Sequence, residues 1–120
     1  RILIIDDDDR FLSMFQEGLC RAGYEVLTAS NGRIGVDLCQ KEQPDLVITD
    51  ILMPERDGAE VVFELQKDFP GIKIIVITGG GQGDAQTYLD SLVTYSDLKY
   101  AFKKPFVMDE MLQTVKECLN

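Results

Sequence analysis

The chain contains no histidine. That removes imidazole as metal ligand, general base or phosphate carrier, and with it serine-triad, Cys–His and zinc-hydrolase chemistry. Cysteine is scarce: Cys20, Cys39 and Cys118 are odd in number, far apart and without a CxxC pair. A disulfide framework or zinc site does not fit that pattern, whereas a reducing cytoplasm does. Each cysteine falls in a segment with helical spacing, where the expected role is small apolar filler. Basic residues are outnumbered, 12 Lys and Arg against 21 Asp and Glu, for a net charge of −9. So acidic a surface repels nucleic acid and anionic lipid, and direct DNA binding by this segment is not expected. No apolar run approaches the roughly 18 residues of a membrane span, nothing resembles a signal peptide, and no membrane partner is expected. The chain also lacks a starting methionine and opens at Arg1 directly in an apolar run, as a piece trimmed from a longer protein would.

What is present is a globular composition of 120 residues, 45% hydrophobic and 28% charged, enough for one domain with a real core. Ile2–Ile5 is a β-branched run ended abruptly by four aspartates, Asp6 to Asp9. A continuous apolar run, in place of an alternating one, predicts a strand covered on both faces. Phe11, Leu12, Met14, Phe15 and Leu19 follow at helical spacing, with Asp8 or Asp9 as N-cap and Gly23 as the stop. Tyr24 to Ala29 reads as a second strand, Asn31-Gly32 as a turn, and Ile34, Val36, Leu38 and Cys39 as a short helix closed before Pro44. Leu46 to Thr49 is a strand ending at Asp50, Ala59 to Phe69 a helix, and Ile72 to Ile77 a strand ended by Thr78. After a glycine-rich loop come a helix over Ala85–Tyr95, a short strand over Tyr100–Phe102 and a final helix from Met108 to Leu119.

Five strand–helix units in one rhythm, with no linker or low-complexity stretch, make residues 1–120 one α/β domain with right-handed crossovers. The expected solution is a flavodoxin-like, doubly wound parallel sheet of order 2-1-3-4-5 with five helices. In such a sheet functional groups gather beyond the carboxyl ends of the strands. Those ends carry Asp6 and Asp7, Asp50, Thr78, and Lys103 with Lys104. Ser30 and Asn31, at the edge, are explained by turn chemistry. Three carboxylates so gathered repel, and a divalent cation resolves the conflict. All-oxygen ligation points to Mg²⁺, which commonly meets its remaining ligands on a phosphoryl group. A carboxylate can attack phosphorus to give an acyl phosphate, while a cation, an ammonium and a hydroxyl steady the oxygens.

The residues that carry this chemistry also carry a family resemblance. Ile-Leu-Ile-Ile-Asp6-Asp7, then Pro-Asp-Leu-Val-Ile-Thr-Asp50 with Met53-Pro54-x-x-Asp57-Gly58, then Ile-Val-Ile-Thr78-Gly79, then Lys104-Pro105-Phe106 resemble the receiver domain of two-component response regulators. The likeness covers essentially the whole chain, in order. It implies that Asp50 is the phosphoacceptor, served by a histidine kinase or phosphotransfer protein, and that the domain is a regulatory phosphoprotein and not an enzyme acting on external substrates. It implies that Asp6, Asp7 and Asp50, with the Leu52 backbone carbonyl, hold Mg²⁺. Lys104 would ion-pair with the phosphoryl group, its bond to Pro105 would be cis, and Thr78 would be the switch hydroxyl. Asp8 and Asp9 read better as first-turn helix residues than as ligands, Lys103 as facing away from Lys104, and Asp57-Gly58 as a turn and cap.

Three positions depart from the family pattern. Ala101 stands where an aromatic switch residue is usual, three before the lysine; the stretch from Thr78 to Lys104 is a few residues longer than typical; and Val107 replaces a polar cap, which implies a poor start to the last helix. Leu52 and Gly80 would border the water path to the phosphoryl group without orienting a water, so slow self-dephosphorylation is expected. Two alternatives remain: a receiver-like interaction module that is not phosphorylated, and a haloacid-dehalogenase-type phosphatase built on Asp6-x-Asp8. The second needs an acidic pair after the lysine, for which Met108-Asp109-Glu110 has the wrong context. An effector domain or protein partner and a homodimer are both allowed by the sequence.

Overall fold

The structure, a computed structural model, describes residues 1–50, 58–78, 100–103 and 106–119. Its elements in chain order are β1 (Ile2–Ile5), α1 (Asp9–Arg21), β2 (Val26–Ala29), α2 (Gly32–Glu42), β3 (Leu46–Asp50), α3 (Gly58–Asp68), β4 (Lys73–Thr78), β5 (Tyr100–Lys103) and α4 (Met108–Leu119). All pairings are parallel, and the strand order is β2-β1-β3-β4-β5, as expected. The described residues hold four helices; the helix expected over Ala85–Tyr95 lies outside them.

The continuous apolar runs are explained by two cores, one on each face of the sheet. Leu3, Ile5, Val47 and Val76 pack against Val36 of α2 and Val61 and Leu65 of α3. Ile2, Ile4, Ile48 and Ile75 pack on the other face against Leu12, Phe15 and Leu19 of α1 and Met111 and Val115 of α4. Every residue of β1 is buried, so its run has no polar position to alternate with.

The caps explain where α1 and α2 begin. The Asp8 carboxylate accepts from the Arg10 and Phe11 amides at 3.0 and 3.2 Å, so Asp8 is the N-cap of α1. At the other end Gly23 takes φ +97°, a left-handed conformation that glycine enters without strain. Asn31-Gly32, expected as a turn, is instead a helix start. The Asn31 side chain accepts from the Ile34 amide at 2.9 Å, and Gly32 is the first residue of α2. β2 begins at Val26, two residues later than expected, and β4 at Lys73, after Ile72 donates its amide to the Phe69 carbonyl. Thr78 belongs to β4 and Lys103 to β5. Although Val107 offers no side-chain cap, α4 forms; its carbonyl accepts from the Met111 amide, and Asp109 and Glu110 favour the helix dipole from the first turn.

Three apolar positions face solvent contrary to expectation. Met14 on α1 and Ile34 on α2 are exposed, and so is Cys20; only Cys39 and Cys118 are core filler. At 3.6 residues per turn all three lie about 100–150° from the centre of the buried face of their helix, on the solvent side. Lys73 donates from Nζ to the Cys118 carbonyl and so closes the end of α4 from β4.

Two glycines give opposite expectations. A Cβ on Gly35 would strike the Ile5 side chain, meeting Cγ1 at 2.7 Å as well as Cδ1, beneath the strand that leads into Asp6. Gly35→Ala should therefore destabilise the fold by about 1–3 kcal/mol despite its better helix propensity. At Gly18 the obstacle is the terminal methyl of Met108, which can swing away, and Gly18→Ala should be neutral or stabilising by up to about 1 kcal/mol. Urea denaturation of both variants checks the pair.

Burial pushes the Cys39 thiol up from its usual 9.0 to about 11. The folded chain then holds this proton more tightly than the unfolded one. Its contribution to stability is complete below the unfolded value and is lost as pH rises through the folded one, at up to about 1.4 kcal/mol per pH unit. Alkylation at neutral pH should label Cys20 and spare Cys39 and Cys118, read by peptide mass mapping.

Candidate functional site

Register alone builds the site. Ile5 of β1 pairs with Thr49 of β3, so the residues that follow, Asp6 and Asp50, stand side by side where the two central strands end. Asp50 pairs in turn with Ile77 of β4, and Thr78 pairs with Lys103. The carboxyl ends of four strands thus deliver Asp6, Asp50, Thr78 and Lys103 to one edge of the sheet. Order 2-1-3-4-5 places the switch point between β1 and β3, where crossovers leave the sheet in opposite directions and open a crevice.

One carboxylate oxygen each from Asp6, Asp7 and Asp50 lie within 4.8 Å of one another. Asp6 and Asp50 are 1% and 5% exposed, Asp7 is open to solvent. Oxygens around one octahedral Mg²⁺ at about 2.1 Å are about 3.0 Å apart when cis and about 4.2 Å apart when trans, so the three carboxylates are near enough to share a small divalent cation once drawn closer together around it. The mixture of two buried carboxylates and one exposed suits an ion that keeps several waters.

Local hydrogen bonds fix the acids. The Asp8 amide donates to Asp6 Oδ1 at 2.9 Å, an i to i+2 Asx-turn that orients the Asp6 carboxylate while Asp8 itself caps α1. The Asp6 amide donates to the Ala29 carbonyl, extending the β1–β2 ladder into the site. On the far side the buried Thr49 hydroxyl donates to the Asp50 carbonyl at 3.1 Å. Asp8 is therefore a site residue through its backbone, a role that the Asp-x-Asp spacing permits but does not single out.

The other expected site residues are placed less fully. Thr78 is the last residue of β4. Lys104, Pro105 and the Leu52 carbonyl lie outside the described residues. Ala101, at the position where an aromatic was expected, pairs with Val76 and so stands on the α2–α3 side of the sheet, exposed. Phe102 stands on the opposite side, packed against the α1–α4 core.

Residues 2–116 match the response regulator receiver domain family. The chain is 32% identical over 119 residues to sporulation initiation phosphotransferase F of Bacillus subtilis, covering 99% of this chain and 93% of that protein. It is 41% identical over 83 residues to the chemotaxis protein CheY of Thermotoga maritima, covering 68% of this chain and 69% of that one. It is also 32% identical to the transcriptional regulatory protein GlrR of Escherichia coli, of whose length it spans 26%. Among solved structures, a CheY-like receiver domain from Methanospirillum hungatei superposes with TM-score 0.88 at 29% identity, covering 99% of this chain and 92% of that one. The response regulator TrrA of Thermotoga maritima, solved with Mg²⁺ and BeF, gives 0.86 at 33% identity, covering 98% and 97%. With the sheet order, the acid cluster and these matches in agreement, the chain belongs to the receiver domains of two-component response regulators.

Proposed function

We propose that Asp50 is the residue that accepts the phosphoryl group, with Asp6, Asp7, Asp50 and the Leu52 carbonyl holding Mg²⁺ beside it. The observation that carries this reading is the convergence of the three carboxylates within 4.8 Å at the switch point of the sheet. An Asp50 oxygen attacks phosphorus in line, the new O–P bond forms as the bond to the donor's imidazole nitrogen breaks, and the departing imidazole takes up a proton. Bound there, Mg²⁺ would neutralise charge on the transferring oxygens. The Lys104 ammonium pairs with one of these oxygens and the Thr78 hydroxyl donates to another, drawing the end of β4 toward the site. The domain so acts on itself as a switch.

A histidine kinase or phosphotransfer protein supplies the phosphoryl group. The similarity to GlrR, a transcriptional regulator four times as long, supports an attached effector domain as one output; the similarity to phosphotransferase F supports relay to another protein as another. Free Cys20, Cys39 and Cys118 support a reducing, cytoplasmic setting.

Incubation with acetyl phosphate and Mg²⁺ should add one phosphoryl group, base-labile and lost in Asp50→Asn. Lys104→Ala should slow the transfer by roughly a hundredfold. A label on Asp6 with turnover of external esters would establish the phosphatase alternative, and the absence of any mass gain the unphosphorylated module. With Leu52 and Gly80 unable to orient a water, the phosphoryl group should persist for many minutes in Mg²⁺, followed by mass spectrometry after donor removal; decay within seconds contradicts this.

A further inference from the structure

The described ring–ring contacts all belong to one cluster. Phe106 is its hub, with ring centroids 5.9 Å from Phe11, 5.5 Å from Phe15 and 5.8 Å from Phe102; Phe11 and Phe15 are 5.4 Å apart. These are edge or tilted geometries, which bind through ring quadrupoles and so fix orientation as well as distance. Elsewhere that core is aliphatic on the sheet, from Ile2 to Ile77.

The placement of the cluster matters more than its packing. Phe102 and Phe106 bracket Lys104 in sequence, two residues away on either side. Phe11 and Phe15 sit one turn apart on α1, the helix whose cap residue donates its amide to Asp6. One helix is thus tied at its first turn to the acid cluster and through its rings to the passage from β5 to α4. On the other side of β5, Ala101 offers only a methyl group.

We infer that the Phe11–Phe15–Phe102–Phe106 cluster is a positioning device for Lys104, setting its distance from Asp50 by clamping the residues on either side of it against α1. The inference rests on the role proposed for Lys104. A long, flexible lysine stem reaches a transferring oxygen only when its backbone is held, and small displacements of such groups cost rate steeply.

The test compares Phe106→Leu and Phe11→Leu with Leu12→Val, which trims the same core on the same helix but removes no ring. Phosphorylation by acetyl phosphate is measured as maximal rate and as the Mg²⁺ concentration for half of it, with folding checked by circular dichroism. Phe106→Leu and Phe11→Leu should each lower the maximal rate roughly tenfold while the Mg²⁺ dependence stays within about twofold. Phe11→Tyr, which keeps the ring, should restore the rate, and Leu12→Val should leave it unchanged. In the Lys104→Ala background, Phe11→Leu should add nothing further. If Phe106→Leu does not fold, the half-buried Phe11 carries the test. Phe variants that match wild type, or that slow transfer equally with and without Lys104, overturn the inference. A Lys104→Ala protein as fast as wild type overturns instead the reading on which it rests.

Discussion

Two carboxylates with little access to water, Asp6 and Asp50, are delivered to the same spot by the ends of adjacent strands. At separations within 4.8 Å and an effective dielectric near 20, their repulsion is at least about 3 kcal/mol. No single neutral hydrogen bond offsets that, since each contributes about 1 kcal/mol net. The Mg²⁺ proposed for this site would offset that repulsion, and the remainder of the molecule can be understood as the scaffold that holds the acids together.

That scaffold is stiff where the acids are anchored. β1 and β3 are buried along their whole lengths between two apolar layers, so neither can slip in register without exposing its core residues. Asp6 is further held by the Asp8 amide and Asp50 by the Thr49 hydroxyl on its carbonyl. Gly35 lets α2 approach β1 closely enough to press on Ile5, immediately before the acids. Packing, capping and site geometry are in this way one continuous piece of structure, in which α1 both caps the acidic turn and carries two of the four rings on the far side.

Much of this was legible in the sequence because it depends on local pattern. Apolar runs bounded by Asp6, Asp50 and Thr78 marked the strands, and parallel topology then brought their ends together. What failed had a physical reason in each case. Asn31-Gly32 has the composition of a turn, but a turn and an N-cap use the same side-chain acceptor, and only the following helix decides between them. Cys20, Met14 and Ile34 lie about 100–150° around their helices from the centre of the buried face, so the apolar residues of these helices do not form a single stripe and only the sheet decides which of them are covered. The ring cluster joins Phe11 to Phe106 across nearly the whole chain, a contact that no periodicity announces.

The central claim, that three acids share one divalent cation, is tested most directly by amide NMR spectra recorded with substoichiometric Mn²⁺, which broadens signals near its binding site. The account predicts saturable broadening centred on the amides of Asp6, Asp7, Asp8 and Asp50, displaced by Mg²⁺ and absent in Asp6→Asn. Broadening spread instead over the exposed acids of α3 and α4, unaffected by that substitution, would contradict it.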